Sequence, residues 1–304
     1  MASLVAGTLL WTSAARPCSK PPVDDSFGWE RHGYARISNA FCSCGEMLHV
    51  PGEGTVPRKD CLFSFRGLEG RSFQLNMTAP ESAATLELIY KELVYAKHRE
   101  GLYRLTDIQK WGLQAGDVFI DAGANLGFVS ILAAMAWPSA HVYGFEANPL
   151  THAFLAENVW RNGVKNRVQA NNLGLSGDGR DLQFSACSKI NIGRNGIYEK
   201  HLRPFSSKDR CGAHNSTRVV PSATLQSILA ERGVSKVAVL KLDCEGCEFE
   251  VLPQLPLSEG GQLDRSVIGK LVGECHIIEG VFSRLTENIK RLCTHLLHPV
   301  VMYG

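Results

Sequence analysis

From Gly116 onward, short apolar runs bounded by turn residues alternate with longer stretches of helical period. That alternation predicts a parallel sheet covered by helices on both faces. The predicted strands are Val118–Ile120, His141–Phe145, Arg167–Asn172, Val237–Leu240 and Val267–Cys275, with Asp181–Phe184 as a further short one. The predicted helices are Leu126–Ala136, a segment from Pro149 to Gly163 capped by Asn148, Ser222–Glu231 and Phe282–Leu297. The chain reaches Gly304 at the start of what reads as one more strand.

Upstream the pattern differs. Pro80–His98 reads as an amphipathic helix, with Leu86, Ile89, Tyr90, Leu93 and Val94 at offsets of three and four and Gly101 as its stop. A linker, Tyr103–Gln114, follows. Residues 1–79 are rich in Cys, Gly, Pro and Ser and read as an irregular or β-containing extension. The expected organisation is therefore an N-terminal extension over 1–79 and a larger domain over 80–304. Within the latter, 80–115 form the leading helix and linker and 116–304 the core. Cys18, Cys42, Cys44 and Cys61 are even in number and allow two disulfides in any of three pairings in an oxidising compartment. Cys42-x-Cys44 lacks the two-residue gap of a zinc knuckle, and no metal is expected there.

Composition narrows the class only a little. The 304 residues are 44% apolar and 20% charged, as in an ordinary globular protein. A formal charge of +2 and the lack of a dense basic patch leave no reason to expect nucleic acid or an anionic membrane as partner. No run approaches the length of a membrane span. Leu4–Trp11 is a short apolar stretch followed by a cleavage-like Ser13–Ala15, yet no Lys or Arg precedes it. Ten cysteines and two sequons, Asn76-Met-Thr78 and Asn215-Ser-Thr217, point toward the secretory-pathway lumen. The compartment stays open between that and the cytoplasm.

The chemistry collects where the strands end. Val118–Ile120 runs into Asp121, then into a turn bearing Gly123, Asn125 and Gly127, then into a helix. Strand, glycine turn and helix form a mononucleotide-binding unit, with bare backbone N–H groups able to approach a ligand. A dinucleotide fingerprint needs a third glycine where Phe128 stands, and Asp121 would repel phosphate and attract a cation. S-adenosylmethionine, with its ammonium and sulfonium, suits that spacing better than NAD. Glu146 ends the next strand, where a carboxylate accepts hydrogen bonds from a ribose diol, with Asn148 two residues on and Asn172 ending the third strand. Asp243, Glu245 and Glu248 place three acids within six residues, which calls for a proton or a cation among them: a donor ammonium, a divalent metal or Lys241. Strand period puts Lys241 and Asp243 on one face, and helix period puts Glu245 and Glu248 on another. Cys244-x-x-Cys247 is formally a redox spacing, but the neighbouring acids would raise the thiol pKa values, and small buried side chains are the expected role. Glu274-x-His276 brings an acid and an imidazole to one face, either as acceptors of a hydroxyl proton or as a structural ion pair. The polar stretch Gly174–Arg218 reads as a substrate-contacting loop or an ordinary surface insertion.

Together, Phe119–Gly127, Phe145–Pro149, Leu240–Leu252 and Glu274-Cys-His276 resemble, in order and spacing, the FkbM family of S-adenosylmethionine-dependent methyltransferases, over roughly Gly116 to His276. The resemblance implies an α/β class I methyltransferase fold, Rossmann-like with a doubly wound, mostly parallel sheet, and O-methylation of a hydroxyl on a sugar or natural-product acceptor. It implies that Asp121, Gly123, Asn125, Gly127 and Glu146 hold the donor and that Asp243 sits beside the transferred methyl. Asn148, Asn172 and Glu245 complete the expected donor site, and Asp243, His276 and Glu274 form the expected catalytic set. Two competing readings remain: an NAD(P)-dependent Rossmann oxidoreductase, and a non-catalytic glycan-binding module that keeps the fold. The sequence departs from the family pattern at Gln226, where aspartate is common, and it lacks the closing antiparallel hairpin usual in such folds.

Overall fold

A computed structural model describes residues 16–17, 36–66, 72–81, 113–187, 196–197, 215–259, 261–278, 282–295 and 298–302. The expectations for the helix after Pro80 and its linker, for the apolar amino end, for Cys18 and for most of the Gly174–Arg218 stretch lie outside those residues.

Four strands come first: β1 (Arg16–Pro17), β2 (Arg36–Val50), β3 (Gly54–Arg66) and β4 (Ser72–Pro80), forming one antiparallel sheet in chain order. The α/β unit then begins with β5 (Val118–Ala122), helix α1 (Phe128–Ala136), β6 (His141–Phe145), helix α2 (Pro149–Arg161) and β7 (Val168–Asn171). Short strands β8 (Gly174–Leu175), β9 (Leu182–Cys187), β10 (Gly196–Ile197), β11 (Asn215–Val220) and β12 (Ser222–Ala223) make two small side sheets. Helix α3 (Leu225–Glu231), β13 (Val237–Leu242), the short α4 (Glu248–Val251), β14 (Ile268–Ile278), α5 (Glu287–His295) and β15 (His298–Met302) complete the chain.

The central sheet has six strands in the order β15-β14-β13-β5-β6-β7, and every pairing within it is parallel. The last of these is the strand foreseen near Gly304; it adds a parallel edge rather than an antiparallel hairpin. Alternation along β5 divides the core. Val118, Ile120 and Ala122 join the cluster under α3, α4 and α5, while Phe119 joins the cluster under α1 and α2. Helix boundaries follow local chemistry. Asn148 Oδ1 accepts the Leu150 N–H at 3.0 Å with proline in the first turn, and Thr224 Oγ1 accepts the Ser227 N–H at 3.0 Å. The predicted Ser222 helix starts only at Leu225, because Ser222 and Ala223 pair with β8 instead.

The extension is more regular than its composition indicates. Long antiparallel ladders join β2 to β3 and β3 to β4, and Cys42 faces Cys61 directly across the first, where the two form a disulfide. The sheet is not a detached module, since Phe63, Leu75, Met77 and Ala79 share a core with α1 and α2, and Phe63 meets Phe128 edge-on at 6.2 Å. Asn158 is the hinge of that junction. Its side chain accepts the Thr78 N–H at 2.6 Å and donates to the Thr78 and Leu126 carbonyls at 3.0 and 2.8 Å. One buried amide therefore ties β4 to the glycine turn of the α/β unit.

Candidate functional site

The strand order reverses between β5 and β13: later strands step outward from β5 through β6 to β7 on one side, and from β13 through β14 to β15 on the other. Such a switch point opens a crevice beyond the carboxyl ends of the strands. Residues from β5, β6, β13 and β14 meet there.

The glycine turn is pinned to β6, since the Gly123 and Ala124 N–H groups both donate to the Phe145 carbonyl, at 3.0 and 2.9 Å. Gly123, at φ +76°, lies so close to the neighbouring strand end that a Cβ would sit 1.8 Å from the Asp243 carbonyl oxygen. Gly127, at φ +85°, caps α1. Asn125 and Glu245, at φ 51° and 54°, are the two non-glycine residues with left-handed backbone among the described residues, and both stand in this crevice. Asn125 also carries a buried side-chain oxygen, Oδ1, that meets no hydrogen-bond donor.

Asp121 does not face outward to greet a ligand. It is fully buried, with Lys241 Nζ 2.8 Å from its Oδ1 and Ser130 Oγ donating to its Oδ2 at 2.6 Å. Lys241 stands opposite Asp121 in the parallel register of β13 and β5 and also donates to the Gly123 carbonyl at 3.0 Å. Burial works against the lysine charge, but Asp121, Asp243 and Glu274 outweigh it and raise its pKa. The cation called for by the acids at this end of the sheet is thus partly supplied from within. Asp121 positions the turn through Lys241 and Ser130. Ser130 was missed in the sequence, though a lone hydroxyl in an otherwise apolar helix was its available signal.

Glu146 follows β6 directly, beside the glycine turn. Its Oε2 accepts the Asn125 N–H and its Oε1 the Asn148 N–H, each at 2.9 Å, so the carboxylate lies against the glycine turn. Burial lifts its pKa to about 7, against the pull of the Asn148 and Asn125 N–H groups. Asn148 reaches this carboxylate through its backbone N–H, and Asn172 braces the backbone that follows β6. Asn148 spends its side-chain oxygen on the α2 cap, and Asn172 Nδ2 donates to the Glu146 and Ala147 carbonyls at 2.9 and 3.1 Å. Gln226, the departure from the family pattern, donates to the Gln254 carbonyl at 2.7 Å.

On the other side, His276 gathers four carboxylates. Its Nδ1 lies 3.0 Å from Glu248 Oε1, and its Nε2 lies 3.4, 3.6 and 3.8 Å from Glu274, Glu245 and Asp243. Glu248 is fully buried and anchors the group. Its Oε1 also accepts the Cys244 N–H at 2.9 Å, and its Oε2 accepts the Gly246 N–H at 2.7 Å. Burial opposes charge on His276, yet Glu248, Glu245 and Glu274 together hold its pKa well above the ordinary value. Burial likewise pushes against Glu248, and His276 with the backbone donors outweighs it, keeping that carboxyl below its usual value. Glu245 is different: burial lifts it to about 7 despite the pull of His276. Glu245 and Glu248 do not share a helix face as expected, because α4 begins only at Glu248 and Glu245 lies in the left-handed turn before it. Asp243, Glu248 and His276 each offer a ligand atom within 4.8 Å of the others. Both Glu248 oxygens are already committed, to the Cys244 and Gly246 N–H groups and to His276.

Cys244 and Cys247 are joined by a disulfide, so neither is the free small side chain expected from the sequence. Cys275, next to His276, is joined to Cys293 of α5.

A model of the Methyltransferase FkbM domain matches residues 121–282, more than half of the chain. A protein named 31-O-demethyl-FK506 methyltransferase FkbM, from Streptomyces tacrolimicus, is 27% identical over 59% of this chain and 72% of its own. Methyltransferase sdnD from Sordaria araneosa is 26% identical over 60% of this chain and 73% of its own. A solved structure of Methyltransferase FkbM from Methylobacillus flagellatus KT is 14% identical with a TM-score of 0.30. This chain covers 30% of that protein's length, with 46% of its own, too slight a likeness to carry an argument. The matched span begins at the buried Asp121, takes in Glu146 and the acids after β13, and ends just past His276, and the chain belongs to the FkbM methyltransferase domain family.

Proposed function

We propose that this chain is an S-adenosylmethionine-dependent O-methyltransferase acting on a hydroxyl of a sugar or natural-product small molecule. The observation that carries the proposal is the meeting, at one switch point, of two features with complementary chemistry. One is a glycine turn backed by Glu146; the other is a cluster of acids around His276, of which burial lifts Glu245 to about 7. The residues present suit the donor. Glu146 is a carboxylate placed for a ribose diol, the orphaned Asn125 Oδ1 offers an acceptor, and the acids beyond β13 suit a positively charged sulfur. The name of the Streptomyces relative, a 31-O-demethyl-FK506 methyltransferase, supports a natural-product hydroxyl as acceptor.

When bound, S-adenosylmethionine supplies an electrophilic methyl group on a cationic sulfur. The chain's own work is alignment, exclusion of water and custody of one proton. Lys241, Asp121 and Ser130 fix the floor of the turn. Glu245, with a pKa of about 7, is the group best matched to accept the acceptor's hydroxyl proton at neutral pH. His276, held well above its ordinary pKa, steadies the neighbouring carboxylates, so Glu245 takes the base role first considered for His276 and Glu274. Asp243 and Glu274 line the same opening. Cys42, Cys44, Cys61, Cys244, Cys247, Cys275 and Cys293 are all disulfide-bonded, which favours an oxidising compartment such as the secretory lumen. Among the described residues no helix is long and apolar enough to cross a membrane.

A pH series tests the donor site. The diol binds the ionised carboxylate, and the Glu146 carboxyl gives up its proton near pH 7, so donor affinity is lost as pH falls through that value. Titration calorimetry with S-adenosylhomocysteine should show roughly tenfold tighter binding at pH 8 than at pH 6. Glu146→Gln should bind more weakly with a flat profile between those values. An unaltered profile in that variant would remove Glu146 from the donor site.

A further inference from the structure

We infer that the Cys244–Cys247 disulfide is a local clamp that sets Glu245 and, through Glu248, His276 in their working positions. The inference rests on the proton-handling role proposed for this cluster. The bond closes a turn of only two intervening residues, Glu245 and Gly246, and both have left-handed backbone, at φ 54° and 123°. Left-handed backbone is disfavoured for glutamate and persists only where surrounding structure holds it. Here the restraints are the disulfide itself and two hydrogen bonds from within the same turn, Cys244 N–H and Gly246 N–H to the Glu248 carboxylate. That carboxylate is the one that fixes the His276 ring through Nδ1, leaving Nε2 toward Asp243, Glu245 and Glu274. Opening the bond therefore frees Glu245 from its turn and loosens both donors that aim Glu248 at the imidazole.

The other two fully described disulfides serve the fold instead. Cys42–Cys61 and Cys275–Cys293 span 19 and 18 residues, and all four of their side chains are buried. Chain-entropy stabilisation grows with loop length, so a separation of three residues stabilises the whole fold least. Cys244 is only half buried, which makes this bond the most open of the three to a dithiol reductant. In that exchange the S–S bond takes two electrons and two protons, giving two thiols, while the dithiol becomes a disulfide. The surrounding acids disfavour the thiolates and so favour the closed form.

The test reads His276 directly and needs no acceptor. Proton NMR of the imidazole C2–H signals is followed against pH in the wild type and in Cys244→Ser/Cys247→Ser, with His276→Gln used only to assign the resonance. Groups facing that imidazole are Asp243, Glu245 and Glu248 from the turn after β13 and Glu274 from β14. Loss of the clamp should lower the His276 midpoint by about one pH unit or more. Wild type treated with dithiothreitol, with the opened bond identified by alkylation and peptide mapping, should move the same way while Cys42–Cys61 and Cys275–Cys293 stay closed. An unmoved His276 midpoint in both samples overturns the clamp, and so does global unfolding in both, because the proposed effect is local. Calorimetry with S-adenosylhomocysteine on the same samples is a separate arm. Absence of binding to wild type would undo the donor reading and leave the NMR result to judge the clamp.

Discussion

Lys241→Met should destabilise the chain by about 3–5 kcal/mol, the cost of removing one partner from a buried ion pair. Lys241 and Asp121 are 2% and 0% exposed, so solvent screening does little to soften the loss. The variant also strands the Gly123 carbonyl, which accepts from Lys241 Nζ at 3.0 Å. Chemical denaturation should show a large fall in midpoint with little change in slope. The double variant Lys241→Met/Asp121→Leu separates charge from shape. Replacing both charges with apolar groups of similar bulk should recover a large part of the loss. A single variant within about 1 kcal/mol of wild type would mean the pair is solvated and has no part in fixing the turn.

Gly123→Ala should all but abolish donor binding. A Cβ there would meet the Asp243 carbonyl oxygen at 1.8 Å, a backbone atom that moves only if the end of β13 moves. Overpacking together with the left-handed backbone penalty amounts to about 2–5 kcal/mol. Because displacing reactive groups by ~1 Å can cost on the order of 100-fold, donor affinity should fall at least that far. Gly163→Ala is the control. Its backbone is also left-handed, at φ +65°, but nothing lies within 4 Å of the added carbon. It should cost only about 1 kcal/mol and leave donor affinity intact. Equal effects from the two substitutions would show that backbone conformation alone matters and that the close approach to Asp243 does not.

The legible part of this chain was whatever local pattern decides. Buried parallel strands read as apolar runs, and Glu146 and Asp243 directly follow the ends of β6 and β13, where they were visible as strand-end acids. Glu274 and His276 instead lie within β14, which runs on to Ile278 rather than closing near Cys275. Relations across strands were less visible. Lys241 and Asp121 are register partners separated by more than a hundred residues, and the lysine's identity as the internal cation follows only from that register. Glu248 looked like one acid among three, whereas its burial and its two backbone donors make it the anchor of His276. The extension was left open between irregular and β-containing because glycine, proline and cysteine mark turns locally, and the short strands it allowed are long ones. The long ladders of β2–β4 are instead secured by what they pack on, Phe128 and Asn158 of the α/β unit. Asn148 was legible as a helix cap from the proline that follows it, and its side-chain oxygen is spent there.

The most direct measurement is titration calorimetry of the purified full chain, disulfides intact, with S-adenosylmethionine and S-adenosylhomocysteine at pH 8. The account predicts saturable binding of both at one site per chain, weakened by Glu146→Gln and lost in Gly123→Ala. Folded protein that takes up neither compound would contradict it, and family membership would then mark the descent of the crevice but not its chemistry.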